Sequence, residues 1–405
     1  MIQLDAIVPR TTADSRGEAT VEVTLTSGSF SANASVPCGK SKGSHEAFCH
    51  TIPKSIEIMK SITPALLSRT FADPADFDKF VIDLDGTSNK EKLGVNVTLS
   101  LSIAVSRLFA QINNLELYTV LGNLAAVAKP SFPRLFFNLI NGGLHVRSSL
   151  KPLPFQEYLI IPKETSPKKS VAQAFQFIAL LKKHLTNYSP EINYGDEGGL
   201  IVSGDDPEIG LKFLQEAWKD FGEQTALDFG VDAASSSLCE GGDEYRWNEA
   251  CWTTQELTNL YLKFVSNYPI LSIEDPFYEE AWKAWAQLNE RIGAKVWVVG
   301  DDLTVTNVDR IKEAREARSI NAVLIKPNQI GTVSETIDAI KLVKSFGWKI
   351  IVSHRSGETN DSFIADLAYG VGADGLKAGS PLQNERLVKY NRLIEIEQSL
   401  REHNL

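Results

Sequence analysis

Six short runs between residues 226 and 377 each lead into a side chain that can do chemistry. Residues 226–231 are followed by Asp232, 269–273 by Glu274 and Asp275, and 295–300 by Asp301 and Asp302. Residues 322–325 are followed by Lys326, 349–353 by His354 and Arg355, and 373–376 by Lys377. Asp232, Glu274 and Asp301, completed by water, would make an octahedral oxygen site of the kind Mg2+ takes. Any one of these acids alone would serve as a solvated cap on a following helix; three in one register point to a metal. A lysine beside a metal and a second lysine has its charged form disfavoured, so Lys326 is expected to be neutral enough to act as a base. A snorkelling lysine would look the same in sequence. His354, Arg355 and Ser356 in succession offer an imidazole, a forked anion donor and a hydroxyl, a set that suits phosphate. Glu197 lies in the turn Gly195-Asp-Glu-Gly-Gly199, His145 follows the turn Asn141-Gly-Gly143, and Glu157 opens an apolar run. Each of these three alone reads as an ordinary turn or rim residue.

For these residues to meet, the runs must be strands. Strands alternating with helical stretches imply parallel pairing through crossover helices. Closed into a barrel, all their C-terminal ends would lie on one face. Two more barrel strands are expected near residues 135–140 and 158–161. Ahead of them, residues 20–36 read as a hairpin. Val21, Val23 and Leu25 alternate with polar residues, Ser27-Gly28 turns the chain, and Phe30, Ala32, Ala34 and Val36 alternate again. Residues 95–112 form an apolar helical stretch. Residues 126–130, ending in Pro130, mark a linker. The expected division is a smaller α+β domain over residues 1–128 and an α/β barrel over 129–405. Thr253/Glu256 and Thr332/Glu335 have capping-box spacing, and Ile337, Ile340 and Val343 continue the second as a helical stripe.

With 405 residues, 43% of them hydrophobic, the chain can fill two cores. A net charge of -10 argues against nucleic acid as a partner. It also means that an anionic substrate needs local positive charge or metal ions. Cys38, Cys49, Cys239 and Cys251 form no CxxC pair and are expected to be reduced thiols of a cytoplasmic protein. No signal peptide is legible over residues 1–5. No membrane span is expected, because the best apolar run, 97–109, is broken by Arg107.

Taken together, the motifs resemble enolase, the phosphopyruvate hydratase family of glycolysis. Asp14-Ser-Arg-Gly17, Asp85-Gly-Thr87, Asn141-Gly-Gly143, Gly195-Asp-Glu-Gly-Gly199 and Ser272-Ile-Glu-Asp-Pro276 fit its pattern in order. So do Gly300-Asp-Asp-Leu-Thr-Val-Thr-Asn307, Asn328-Gln-Ile-Gly-Thr332 and Ser353-His-Arg-Ser-Gly-Glu-Thr359. The resemblance implies an enolase-type barrel that dehydrates 2-phosphoglycerate reversibly to phosphoenolpyruvate with two Mg2+ ions. It implies that Asp232, Glu274 and Asp301 hold the first ion and that Ser41 joins the second. Lys326 would be the base and Glu197 the acid, with Glu157 and His145 beside it. Arg355 and Ser356 would grip the phosphate, and His354 and Lys377 would make further substrate contacts.

The chain departs from the family in places: Lys40 and Lys42 flank Ser41, Pro327 follows the base, and Gln383 stands where an arginine is usual. Two other readings remain open at this point, an enolase-like binding protein with reduced turnover and a related acid-sugar dehydratase. The resemblance further implies a homodimer, in which Glu22 would face an arginine of the last helix. Here that position is Glu395, so a weakened interface is expected.

Overall fold

In the computed structural model, the structure describes residues 1–402 except 38, 40–42, 147–150, 189–191, 223–225 and 240. The first part of the chain builds a three-stranded antiparallel sheet from Ala6–Ala13, Ala19–Ser27 and Phe30–Ser35. The expected hairpin is present, with Ser27 opposite Phe30, so the turn is Gly28–Ser29 and Gly28 takes a φ of 57°. Its Val21, Val23, Leu25, Ala32 and Ala34 are buried, but Phe30 is exposed. The strand Ala6–Ala13 carries no clear alternation and adds an edge to the hairpin. Four helices follow: Ile52–Leu67, Pro74–Asp85, Val95–Ile112 and Leu117–Leu124.

The helix Val95–Ile112 corrects one expectation. By length and composition it could cross a membrane, with a mean hydropathy of 1.4 over 18 residues, and Arg107 does not prevent this. It is 78% buried within the protein, packed against the small sheet, so its apolar surface belongs to the core.

From Arg134 onward eight strands close into a barrel: Arg134–Asn141, Glu157–Pro162, Leu227–Asp232, Ile270–Glu274, Trp297–Gly300, Ala322–Ile325, Lys349–Ser353 and Gly375–Lys377. The last pairs with the first through Gly375 and Arg134, which completes the circle. The strands are not all parallel. Glu157–Pro162 runs antiparallel to both of its neighbours. The described residues of the connection form a 3-10 turn at Gly143–His145 and no α-helix of the kind that usually carries a parallel return. The reversal brings the start of this strand, not its end, to the face where the other strands finish. Glu157 therefore stands level with Asp232.

Helices cover the barrel and are capped as their sequences suggest. Thr253 and Glu256 form a reciprocal capping box, and Thr332 accepts from the Glu335 amide. Ile337, Ile340 and Val343 lie in the core.

Candidate active site

Asp232 and Glu274 are the last residues of adjacent strands in register, and Asp301 follows the next strand by one residue. All three are buried. Asp275 takes a φ of 41° just past its strand. Its carboxylate accepts from the amides of Asp301 and Asp302, each at 2.9 Å, which pins that turn. Asp275, Asp301 and Asp302 bring carboxylate oxygens within 4.8 Å of one another, as do the ligand atoms of His145, Glu157 and Glu197. Asp232 and Glu274 lie outside both groups. Instead they share Lys377, whose Nζ donates to Asp232 at 2.9 Å and Glu274 at 2.7 Å, and lies 3.2 Å from Glu157. Burial would lower the Lys377 ammonium, but Asp232, Glu157 and Glu274 outweigh it and hold it well above its ordinary value. Lys377 is a fixed cation that keeps buried acids together.

Lys326 pairs with the acid that follows a neighbouring strand. Burial alone would lower its pKa, yet the charge of Asp301, with which its Nζ pairs directly, raises it. The other Asp301 oxygen accepts from Gln329 at 3.0 Å. Among the acids, burial drives Glu274 and Asp275 well above the usual carboxylate range, and burial with the Asp301 charge pushes Asp302 up to about 8.

Glu197 is held by two of the glycine motifs, which pack on each other. The Gly199 amide donates to Asn141 Oδ1 at 3.0 Å and the Asp196 amide to the His145 carbonyl at 2.9 Å. A Cβ on Gly195 would lie 2.5 Å from Asn141, so glycine is required there by close approach. Asn138 donates to Glu197 at 3.0 Å, His354 Nε2 lies 3.4 Å from it and His145 Nδ1 3.8 Å. Burial would raise Glu197, but the opposing positive charge around it, of which Arg386 and Lys377 are the cations that persist when His354 and His145 are neutral, holds it well below its ordinary value. Glu157 goes the other way: burial and the Glu197 charge lift it far up. Two neighbouring carboxyls are thus pushed in opposite directions. Both histidines are lowered by burial and so are neutral.

Arg355 is buried at the barrel mouth. Its guanidinium donates to both oxygens of Glu46, each at 3.0 Å, and to Asn328 Oδ1 at 3.0 Å. Ser356 is buried beside it. The loop 353–359 leans on the motif Asp14-Ser-Arg-Gly17, where the Ser15 amide donates to the Glu358 carbonyl at 2.6 Å. Ser41, with Lys40 and Lys42, falls outside the described residues.

Sequence reasoning missed Arg386, Glu46 and Gln329. Arg386 is fully buried and donates to His354 Nδ1 and the Arg355 carbonyl, each at 2.5 Å, and to the Ser356 carbonyl at 2.8 Å. A signal existed: an arginine in the first turn of the helix Asn384–Glu402 opposes the helix dipole, so another partner must hold it there.

The cleft formed by these groups is lined by His145, Glu157, Glu197, Asp232, Asp301, Lys326, Arg355 and Lys377 among others. Residues 129–405 match the family described as "Enolase, C-terminal TIM barrel domain", and residues 4–121 match "Enolase, N-terminal domain". The chain belongs to the enolase family. It is therefore a carbon–oxygen lyase by family. It is 37% identical over 99% of its length to the enolase of Elusimicrobium minutum (strain Pei191), covering 97% of that protein. It is 38% identical to the enolase of Solanum lycopersicum, over 99% of this chain and 96% of that one. Against enolase B of Dictyostelium discoideum the identity is 36%, over 98% and 95%.

The donor set fits the divalent cation that this family implies. The site is rich in buried carboxylates, and among the described residues Glu274 Oε1 and Glu157 Oε2 are buried without a hydrogen-bond partner. Hard oxygen donors of this kind select Mg2+-like ions.

Proposed function

We propose that the protein interconverts 2-phosphoglycerate and phosphoenolpyruvate, with Lys326 as the base and the Glu197 cluster supplying the proton to the leaving hydroxyl. One observation carries this reading. In the closed barrel the strand that leads into Lys326 is four strands away, in either direction, from the strand that opens with Glu157. The lysine and the His145, Glu157 and Glu197 group thus face each other across the mouth. Removing a proton from one face of the substrate and a hydroxyl from the other needs this opposition.

The proton α to a carboxylate is weakly acidic because its loss puts further negative charge on the carboxylate oxygens. A divalent cation held by Asp232, Glu274 and Asp301 would supply Lewis-acid stabilisation of that charge. The pairing of a lysine base with such ions is established for this superfamily. Lys326 accepts the C2 proton once Asp301 no longer pairs with it. Lys377 adds fixed positive charge between the two sides, against Asp232, Glu274 and Glu157. Across the mouth Glu197 and Glu157 lie on either side of His145, at 3.8 and 3.9 Å, burial raises the Glu157 carboxyl, and this cluster gives the C3 hydroxyl the proton it leaves with. Arg355 and Ser356 hold the phosphate. A second ion, a homodimer and a cytoplasmic setting are part of the same proposal; the thiols of Cys239 and Cys251, which form no disulfide among the described residues, support the last.

The test is direct. With Mg2+, 2-phosphoglycerate should give a rise in ultraviolet absorbance as the enol phosphate forms, and a chelator should abolish it. No absorbance change at any Mg2+ concentration would overturn the reading.

A further inference from the structure

Arg355, the residue that would hold the phosphate, already has an anion. Glu46 meets it with two parallel bonds of 3.0 Å. The two side chains are only 4% and 7% exposed, so water screens this pair little. A forked carboxylate–guanidinium contact is the geometry in which arginine also binds phosphate.

Glu46 is built into its place. Its Oε1 accepts from the Gly43 amide at 3.2 Å. The residues around it are tied to the barrel one after another: Ser44 Oγ donates to Glu279 at 2.7 Å, His45 lies 3.1 Å from Glu280, and the Ala47 amide donates to the Gln329 carbonyl at 2.9 Å. Gly39, upstream in the same segment, lies so close that a Cβ there would overlap the Arg355 guanidinium. The Arg355 amide in turn donates to Glu358 at 3.2 Å. The guanidinium is thus held by the segment that carries Glu46, and a carboxylate already faces its charge before a ligand arrives.

We propose that Glu46 is a positioning residue that sets the strength of the phosphate grip. It aims the Arg355 fork and cancels most of its charge, so that a phosphorylated ligand is oriented without being held too tightly to leave. The proposal rests on the reading of Arg355 as the phosphate contact. Enzymes gain rate from interactions made in the transition state, and tighter ground-state binding of a spectator group does not add to it. A reversible enzyme must also release phosphorylated ligands in both directions.

Glu46→Gln keeps the shape and one acceptor oxygen but removes the charge. Inorganic phosphate, titrated calorimetrically into the Mg2+-loaded protein, should bind roughly tenfold tighter to this variant, the size of one partly screened charge–charge interaction at close range. KM for 2-phosphoglycerate should fall together with kcat, as release slows. Glu46→Asp keeps the charge but cannot reach both nitrogens. It should lower kcat without tightening phosphate. A variant that merely loosened the loop would raise KM in both cases. Phosphate affinity unchanged or weakened in Glu46→Gln overturns the proposal. Phosphate binding that is indifferent to Arg355→Gln would instead overturn the underlying assignment of Arg355, and the two failures are read from separate titrations.

Discussion

At the scale of single residues, the site works by giving like groups different charges. Glu157 and Glu197 share the surroundings of His145, yet burial lifts one and neighbouring cations depress the other. His354 owes its neutral state to burial first, with Arg386 lowering it further against the pull of Glu197. Because Nδ1 accepts from Arg386, the proton sits on Nε2, facing Glu197 at 3.4 Å. Removing the guanidinium should therefore raise the His354 pKa. In Arg386→Gln the acid limb of kcat/KM should move to higher pH, because the histidine becomes protonated, and inactive in this role, at a pH where the wild type still works. The variant should also lose roughly 2–4 kcal/mol of stability as buried acceptors lose their donor. A pH profile that keeps its wild-type acid limb would show that neutral His354 is not needed. Asp232, Glu274, Asp301, Lys326 and Lys377 were legible in the sequence because each ends a run, whereas Glu157 opens one and Glu197 sits in a turn, so these two stood out only through the resemblance. The charge states of all these groups were not legible, since they depend on which opposite charge lies nearest in space, as Asp301 does for Lys326.

At the scale of elements, the first part of the chain is joined to the barrel by polar contacts inside apolar packing. The clearest is Asp78 on the helix Pro74–Asp85. It accepts from the amide of Ser334 at 2.8 Å and its hydroxyl at 2.7 Å, at the start of the helix Val333–Ser345. Glu335, paired with Lys90 at 2.7 Å, is the charged neighbour. Burial, partly offset by Ser102 and Ser334, pushes the Asp78 carboxyl up to about 6. An acid whose folded pKa lies above its unfolded one costs stability once the pH exceeds both, and that cost fades as the pH falls through 6 towards 3.8. Asp78→Asn should thus be more stable than wild type at pH 8 by about 3 kcal/mol more than at low pH, with about half of that gap left at pH 5. Urea unfolding across pH 4–8 measures it, and a constant difference would refute the raised pKa. The strands and capped helices were legible from period and turn residues. The reversal of Glu157–Pro162 was not, because a buried strand reads the same in either direction.

At the scale of the whole molecule, the circle of eight strands makes distant motifs one site, and it was legible as an alternation before any contact was known. Self-association is set by surface charges, which sequence order places poorly. Glu22, expected to meet a partner across a dimer, already pairs with Arg10 on the neighbouring strand, and Glu395 lies 3.5 Å from Arg392 on its own helix. Part of the expected repulsion between two acids is therefore relieved within the chain. Glu395→Arg should tighten self-association by roughly 1 kcal/mol or less, since the side chain is 63% exposed and well screened. Sedimentation of the two proteins decides it; association no tighter in the variant would mean that Glu395 does not face Glu22.

The arrangement of base and acid on opposite sides of the barrel mouth is best tested by separating the two proton transfers. Exchange of the C2 hydrogen of 2-phosphoglycerate with deuterated solvent reports the base alone, while formation of phosphoenolpyruvate reports both. Lys326→Ala should lose exchange and dehydration together, by about 10²–10⁴-fold for a positioned base. Glu197→Gln should keep exchange and lose dehydration. Exchange that survives in Lys326→Ala, or that falls in step with dehydration in Glu197→Gln, would contradict the assignment.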